Sequence, residues 1–170
     1  MRRALDATYD AAAYLAALLL IGTLVMVLLG IFGRLLDFQV RGSDAYAGYL
    51  MAGSGFLALA HTLKRGEHIR VSVISRLLKG RAHHVLELVA IGIGVVLAIV
   101  LAWFSVHLAW VSYTFHDIST GNDATPLWFP QLGMAVGALV FAIAVIDEFQ
   151  LEVRGRRVEP KHDVEPLHIE

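Results

Sequence analysis

The feature that most limits the fold of this chain is a set of four apolar stretches, each near the length that crosses a membrane. A bilayer core is roughly 30 Å thick, so a helix needs about 20 mainly apolar residues to span it. The stretches cover about residues 11–33, 45–63, 85–115 and 126–146. Because 57% of the residues are hydrophobic and only 17% are charged, we predict an all-α integral membrane protein with four transmembrane helices.

The lengths and ends of these stretches carry further expectations. A signal peptide has an apolar region of about 7 to 15 residues before a small-residue cleavage site, whereas the first stretch is longer and ends at Arg34, so we expect it to be retained. The third stretch exceeds the membrane thickness at about 1.5 Å per residue, which implies tilt or an extension beyond the bilayer. The fourth is expected to begin its helix at Pro126, since proline suits a first helical turn.

Positive charge predicts the orientation of the helices. Lys and Arg accumulate on the cytoplasmic side of a membrane because positive charge resists translocation. Twelve of the fourteen basic residues lie in the amino terminus, between the second and third stretches, or in the tail, and only Arg34 and Arg41 lie elsewhere. We therefore expect both termini in the cytoplasm, a four-helix domain over residues 1–150, and a polar cytoplasmic tail over 151–170.

The basic segment at 68–81, between the second and third stretches, is amphipathic. On a helical wheel its apolar and polar residues fall on opposite sides, Val73, Ile74, Leu77 and Leu78 on one and Ser72, Ser75, Arg76 and Lys79 on the other. One interpretation is a short interfacial helix whose cations face anionic lipid headgroups. The other is a solvated basic loop that sets topology, and both interpretations remain open.

The composition excludes several classes of chemistry. The chain has no cysteine, which rules out disulfides, thiolate metal sites, iron–sulfur ligation and a thiol nucleophile. A net charge of −1 argues against nucleic-acid binding. No carboxylate lies deep in a predicted span, Glu87 being the deepest. Because no acid, base or nucleophile converges at one depth, we expect no catalytic site, no metal site and no enzyme activity.

Two histidines in the apolar stretches keep a haem-binding membrane anchor as an alternative. His61 lies near the cytoplasmic end of the second stretch, whereas His107 lies about 33 Å along the third at about 1.5 Å per residue. One haem does not easily bridge that difference in depth, and hydrogen bonding between helices is the ordinary role of such residues. A small homo-oligomeric four-span exporter is a second alternative, although such exporters usually place an acidic residue deep in a helix.

Small residues recur at helical spacing in two stretches. Gly133 and Gly137 are four apart, and a second series in the third stretch repeats every four residues, comprising Ala90, Gly94, Ala98 and Ala102. Such spacing lines one helical face and allows close backbone approach. Each series is predicted to pack against a helix, which belongs either to a partner protein or to this chain.

Three segments resemble the small membrane subunit, or Q subunit, of tripartite ATP-independent periplasmic (TRAP) transporters. The most specific is residues 63–71, LKRGEHIRV, which is similar to that family's basic turn followed by a His-Ile-Arg-Val-Asp signature, with Ser72 in place of the aspartate. The other two are a polar corner and the entry into the last helix, namely Arg34 with Ser43 and Asp44, and residues 125–130 with Gly137. The resemblance covers about residues 5–150.

This resemblance implies a complex of three parts in the bacterial inner membrane. A large multi-span subunit would carry the substrate and sodium sites and move as an elevator, and a periplasmic binding protein would deliver an organic acid. The small subunit would brace the large one and hold no cofactor itself. Contacts with the partner subunit or phospholipids are expected at eight residues, with Arg34 and Asp44 also pairing across the outer loop: Arg34, Asp44, Lys64, Arg65, His68, Arg70, Gly133 and Gly137.

Overall fold

The structure is a computed structural model that describes residues 2–38, 40–64, 81–121 and 123–154. These ranges form four helices: α1 (Arg2–Leu35), α2 (Ser43–Lys64), α3 (Arg81–Thr114) and α4 (Trp128–Val153). Within them, the strand-like pairing is limited to an isolated bridge between Ile118 and Pro126. The all-helical prediction is confirmed.

Three of the four helices are long and apolar enough to cross a membrane. The qualifying segments are Ala7–Leu35, Val85–Thr114 and Trp128–Val153. Helix α2 has 22 residues but is less apolar, because it contains three glycines, two tyrosines, Ser54 and His61. The described residues therefore show a multi-pass membrane protein with at least three candidate spans.

The helix bounds differ from the predicted spans where a helix continues beyond the bilayer. Helix α1 begins at Arg2 and not near residue 11, and α3 is one continuous helix of 34 residues, about 51 Å long at about 1.5 Å per residue. Helix α4 begins at Trp128, so the expectation that Pro126 opens it was wrong by two residues. Pro126 instead pairs with Ile118, and Pro130 occupies the first turn, where its missing N–H has no intrahelical partner.

Several predicted features lie outside the described residues. They are the interfacial helix proposed between α2 and α3, the tail beyond Arg154, and the three candidate contact residues Arg65, His68 and Arg70. The predictions made for them remain predictions.

The helices pack in a single-file row in the order α1, α2, α4, α3. In the described ranges α1 packs on α2, α2 on α4 and α4 on α3, while α1 touches α4 only marginally and α3 packs on neither α1 nor α2. Helices α2 and α4 run parallel, since Gly133 lies beside Gly53 and Gly137 beside Leu57. The row therefore has an inner parallel pair flanked by α1 and α3, each of which leaves a broad face uncovered by the other described residues.

Small side chains fill the contacts between the helices. In the described ranges, every buried hydrophobic residue is alanine except Tyr9, Leu57 and Val145. Many large apolar side chains are exposed instead, such as Trp103 at 70% and Leu18 at 63%. Close packing through small residues, with large apolar residues outward, is the pattern of helices that associate in lipid, where no hydrophobic drive separates protein from solvent.

Candidate functional sites at the two ends of the row

Polar contacts concentrate at the two ends of the helix row. We call the end with the described loops 36–42 and 115–127 the loop end, and the opposite end, where α1 begins and α4 finishes, the terminal end. Each end links helices that come from distant parts of the sequence.

Lys64 forms an ion cluster at the terminal end. Its ammonium donates a hydrogen bond to an Asp147 carboxylate oxygen and lies 3.5 Å from Glu148 Oε1. It also sits over the ring of Tyr9, 5.3 Å from the ring centroid. The three charged side chains are only 15–22% exposed. Because Lys64 ends α2, the acids lie on α4 and Tyr9 lies on α1, this Lys64 cluster ties three helices together.

The composition of the Lys64 cluster was not predicted from the sequence. For Lys64 the sequence predicts a place in a basic turn and a contact with a partner or lipid. A signal existed, since a cation ends one span and two acids end another. Using it required knowing that α2 and α4 are parallel neighbours, which charge patterning alone does not show.

His61 also has a partner at the terminal end. Its Nδ1 lies 3.5 Å from Asp10 Oδ1, a contact that links α2 to α1. His107 lies on α3, which does not pack on α2 within the described ranges. In those same ranges no group of three or more His, Cys, Asp or Glu side chains is placed to hold a metal ion. The two histidines are therefore not brought together.

Arg34 and Asp44 pair at the loop end, as hypothesised with the family resemblance. Arg34 Nη2 donates to Asp44 Oδ2 at 3.2 Å. The two side chains are 79% and 83% exposed, so the pair contributes only about 0–1 kcal/mol. Beside it lies an open cleft of ≈ 600 Å³ whose charged lining includes Asp37 and Arg41. The pair closes the α1–α2 corner and leaves both charges accessible.

A hydrogen-bonded network holds the loop between α3 and α4 against α2. The Asp123 carboxylate accepts from the Ser119 hydroxyl at 2.8 Å and from the Tyr49 hydroxyl at 3.2 Å. Thr125 donates to the Tyr46 hydroxyl at 3.0 Å. Gly42 completes this loop clamp, since its φ of 77° suits glycine and an added Cβ would lie 2.6 Å from Asp123 Cβ. The clamp joins the two loops of this end.

The loop clamp should depend on acid pH. The hydrogen bond from Ser119, with further bonds from Thr125 and Tyr49, holds the pKa of Asp123 below its ordinary value of 3.8. Because the folded-state pKa is lowered, the clamp's stabilisation is complete above that value and is lost as the pH falls through the lowered pKa. We expect the loops of the native chain to be cleaved several-fold faster in acid than at pH 7. The Asp123→Asn variant should show the faster cleavage already at pH 7. Equal cleavage of both proteins at pH 7 would contradict this.

Gly133 and Gly137 pack against α2 of this chain. An added Cβ on Gly133 would lie 3.4 Å from Gly53 Cα, and one on Gly137 would lie 2.6 Å from the Phe56 carbonyl carbon. The α3 series behaves similarly, since Ala98 and Ala102 are buried with Ala138 and Ala142 of α4. Of the two packing alternatives, the structure shows packing within the chain for both series.

Comparison with known protein families shows which family the chain belongs to. A family model described as tripartite ATP-independent periplasmic transporters, DctQ component, matches residues 23–155, which is well over half of the chain. The chain belongs to this DctQ family. The match includes all of α2, α3 and α4 and the carboxyl-terminal part of α1, from Thr23 to Leu35. The resemblance to a TRAP small membrane subunit is thereby confirmed, and the Lys64 cluster and loop clamp are features of a DctQ-family protein. No curated protein matches the chain.

Proposed function

We propose that this DctQ-family chain braces the large membrane subunit of its transporter during sodium-coupled uptake of an organic acid. The observation that carries the bracing role is the single-file row, in which α1 and α3 each have a face that no other helix of the described part of the chain covers. A row of helices extends further in the membrane plane than a square bundle of the same four helices. Such a row can widen, in the membrane plane, the part of the large subunit that stays fixed while other parts of that subunit move.

The internal contacts favour a chain that is stiff across the membrane. The Lys64 cluster ties α1, α2 and α4 at the terminal end, and the loop clamp ties α2 to the α3–α4 loop at the other. Alanines and Gly137 allow close backbone approach between the ends. A brace transmits force only if its own helices do not slide, so this arrangement supports the proposed role. The sodium and substrate sites would lie in the large subunit.

We further propose that α2 crosses the membrane and that both termini are cytoplasmic. Helix α2 lies beside α1 over its whole length, from Ser43 near Gly30 to His61 near Asp10. Its lower hydropathy has a physical reason, since an inner helix flanked on two sides presents less surface to lipid. The chain would be a four-span protein of the bacterial inner membrane, with the loop end in the periplasm.

Single-cysteine labelling tests this topology, since the native chain has no cysteine. Leu36→Cys follows α1 and Thr120→Cys follows α3, and both positions are exposed at the loop end. We expect a membrane-impermeant maleimide to label both in intact cells after outer-membrane permeabilisation, and to label Arg154→Cys only after lysis. If Leu36 and Thr120 prove to lie on opposite sides of the membrane, α2 does not cross it.

Copurification tests the proposed assembly. The tagged chain, purified in mild detergent from its native host, should bring down a large many-span membrane protein at equal stoichiometry. Arg34→Ala and Asp44→Ala, with exposed charges at the loop end, should leave this recovery unchanged if they contact only each other, and lower it if they contact the partner or lipid headgroups. Recovery of the native chain alone as a homo-oligomer would contradict the bracing role.

A further inference from the structure

His107 lies near mid-depth of the helix row. Helices α3 and α4 are antiparallel, with Tyr113 against Trp128 towards the loop end and Gly94 near Val145 towards the terminal end. Interpolation between these two contacts places His107 level with Gly133. Gly133 in turn lies beside Gly53, which is about 14 Å from Asp44 and about 16 Å from Lys64 along α2 at about 1.5 Å per residue.

The imidazole of His107 is exposed at this depth. It faces away from the other helices of the row, and it makes no hydrogen bond within the described residues. An ionisable side chain inside a membrane almost always faces protein or a water-filled cavity, because lipid offers it no hydrogen-bonding partner. The uncovered position of His107 is therefore unfavourable for a chain surrounded by lipid alone.

Trp103 supplies a second polar group on the same face. It lies four residues before His107, hence one helical turn away, and is 70% exposed. Its indole N–H also makes no hydrogen bond within the described part of the chain. Tryptophans favour the membrane–water interface, and Trp110 fits that preference because it packs with Tyr113 at the loop end. Trp103 lies two helical turns further from the loop end than Trp110. A preference for the membrane–water interface does not explain an exposed indole N–H at that depth.

We propose that the face of α3 containing Trp103 and His107 docks a transmembrane helix of the large subunit that presents a hydrogen-bond acceptor near the bilayer centre. This inference rests on the proposed function and names the contact surface. Lipid tails supply no acceptor at that depth. A second copy of this chain would bring the same face, so each indole N–H, which only donates, would meet another donor at its level. A helix of the large subunit that presents a hydrogen-bond acceptor can instead bond to the Trp103 indole and the His107 imidazole.

Site-specific photocrosslinking tests the location. A photoreactive phenylalanine analogue replaces Trp103 or His107 in the tagged chain, co-expressed with the large subunit in native membranes. Leu18 provides the matched control, since it lies at similar depth on α1 and is 63% exposed. We expect adducts with the large subunit from positions 103 and 107 that are stronger than those from position 18. Adducts to a second copy, or none, would overturn the proposal.

Substitution tests the hydrogen bonds. The double change Trp103→Phe and His107→Leu keeps apolar bulk and removes both polar groups. We expect it to lower recovery of the large subunit at least about tenfold, as central aromatic contacts do at interfaces, while Leu18→Ala leaves recovery unchanged. Native-like recovery with the double change would overturn the proposal while the native chain's copurification still supported the bracing role. If the native chain itself recovers no large subunit, both fail.

Discussion

Replacing Gly137 with leucine should strongly destabilise the native fold. The first added atom, Cβ, would lie 2.6 Å from the Phe56 carbonyl carbon and 2.8 Å from the Leu57 backbone nitrogen. Backbone atoms of a packed helix cannot rotate away as a side chain can, so α2 and α4 would have to separate. We expect a loss of at least about 3 kcal/mol, at the upper end of the range for overpacked sites. Size-exclusion profiles and thermal unfolding in mild detergent measure it.

Gly55→Leu is the matched control for this substitution. Gly55 is also a glycine inside a helix, but an added Cβ there meets no atom within 4 Å. Leucine has a better helix propensity than glycine, so the isolated chain should keep or gain stability. The stability of Gly137→Ala should lie between those of Gly137→Leu and Gly55→Leu. If both leucine variants unfold alike, close approach at Gly137 is not what holds α2 to α4.

Replacing Lys64 with methionine should destabilise the terminal end of the row. The change keeps much of the side-chain length but removes the cation that contacts Asp147 and Glu148, two acids that are adjacent in sequence and largely buried. Removal of one partner from a buried ion pair is costly because the remaining charge stays desolvated. Since these groups keep some exposure, we expect a loss of about 2 kcal/mol, measured as a shift in the thermal unfolding midpoint.

Two further variants test whether burial and charge determine the stability that the Lys64 cluster contributes. Arg34→Met breaks the other interhelical pair, whose side chains are about four-fifths exposed, and should cost at most about 1 kcal/mol. Adding Asp147→Asn to Lys64→Met removes one of the two negative charges that Lys64 contacts in the native chain and should restore part of the lost stability. If Lys64→Met and Arg34→Met destabilise the chain equally, burial does not set the strength of the Lys64 cluster.

The existence of the helices could be predicted from the sequence because lipid imposes a length and a composition on any helix that crosses it. The Arg34–Asp44 pair was hypothesised with the family resemblance, and the structure shows that the two side chains are in contact. The positions of the helix ends were predicted less accurately. Nothing about the bilayer requires α1 to stop where its apolar residues do, and the structure extends it back to Arg2.

The order of helices in the row could not be predicted. Apolar stretches show which residues enter the membrane, but lipid and a neighbouring helix are both apolar, so the stretches do not show which helix packs on which. Gly133 and Gly137 marked a close contact without naming α2 as the helix contacted. The Lys64 cluster was missed for the same reason, because it exists only where α2 and α4 run in parallel.

The row also divides the chain into two helical hairpins, α1 with α2 and α3 with α4, which meet almost entirely where α2 packs on α4. In the proposed four-span topology, each hairpin satisfies its own backbone hydrogen bonds and can therefore enter the bilayer before the other is synthesised. Assembly then reduces to one docking step between two inserted halves, along the contact that contains Gly137. Biogenesis of this subunit is thus sensitive to substitution along a narrow strip of backbone.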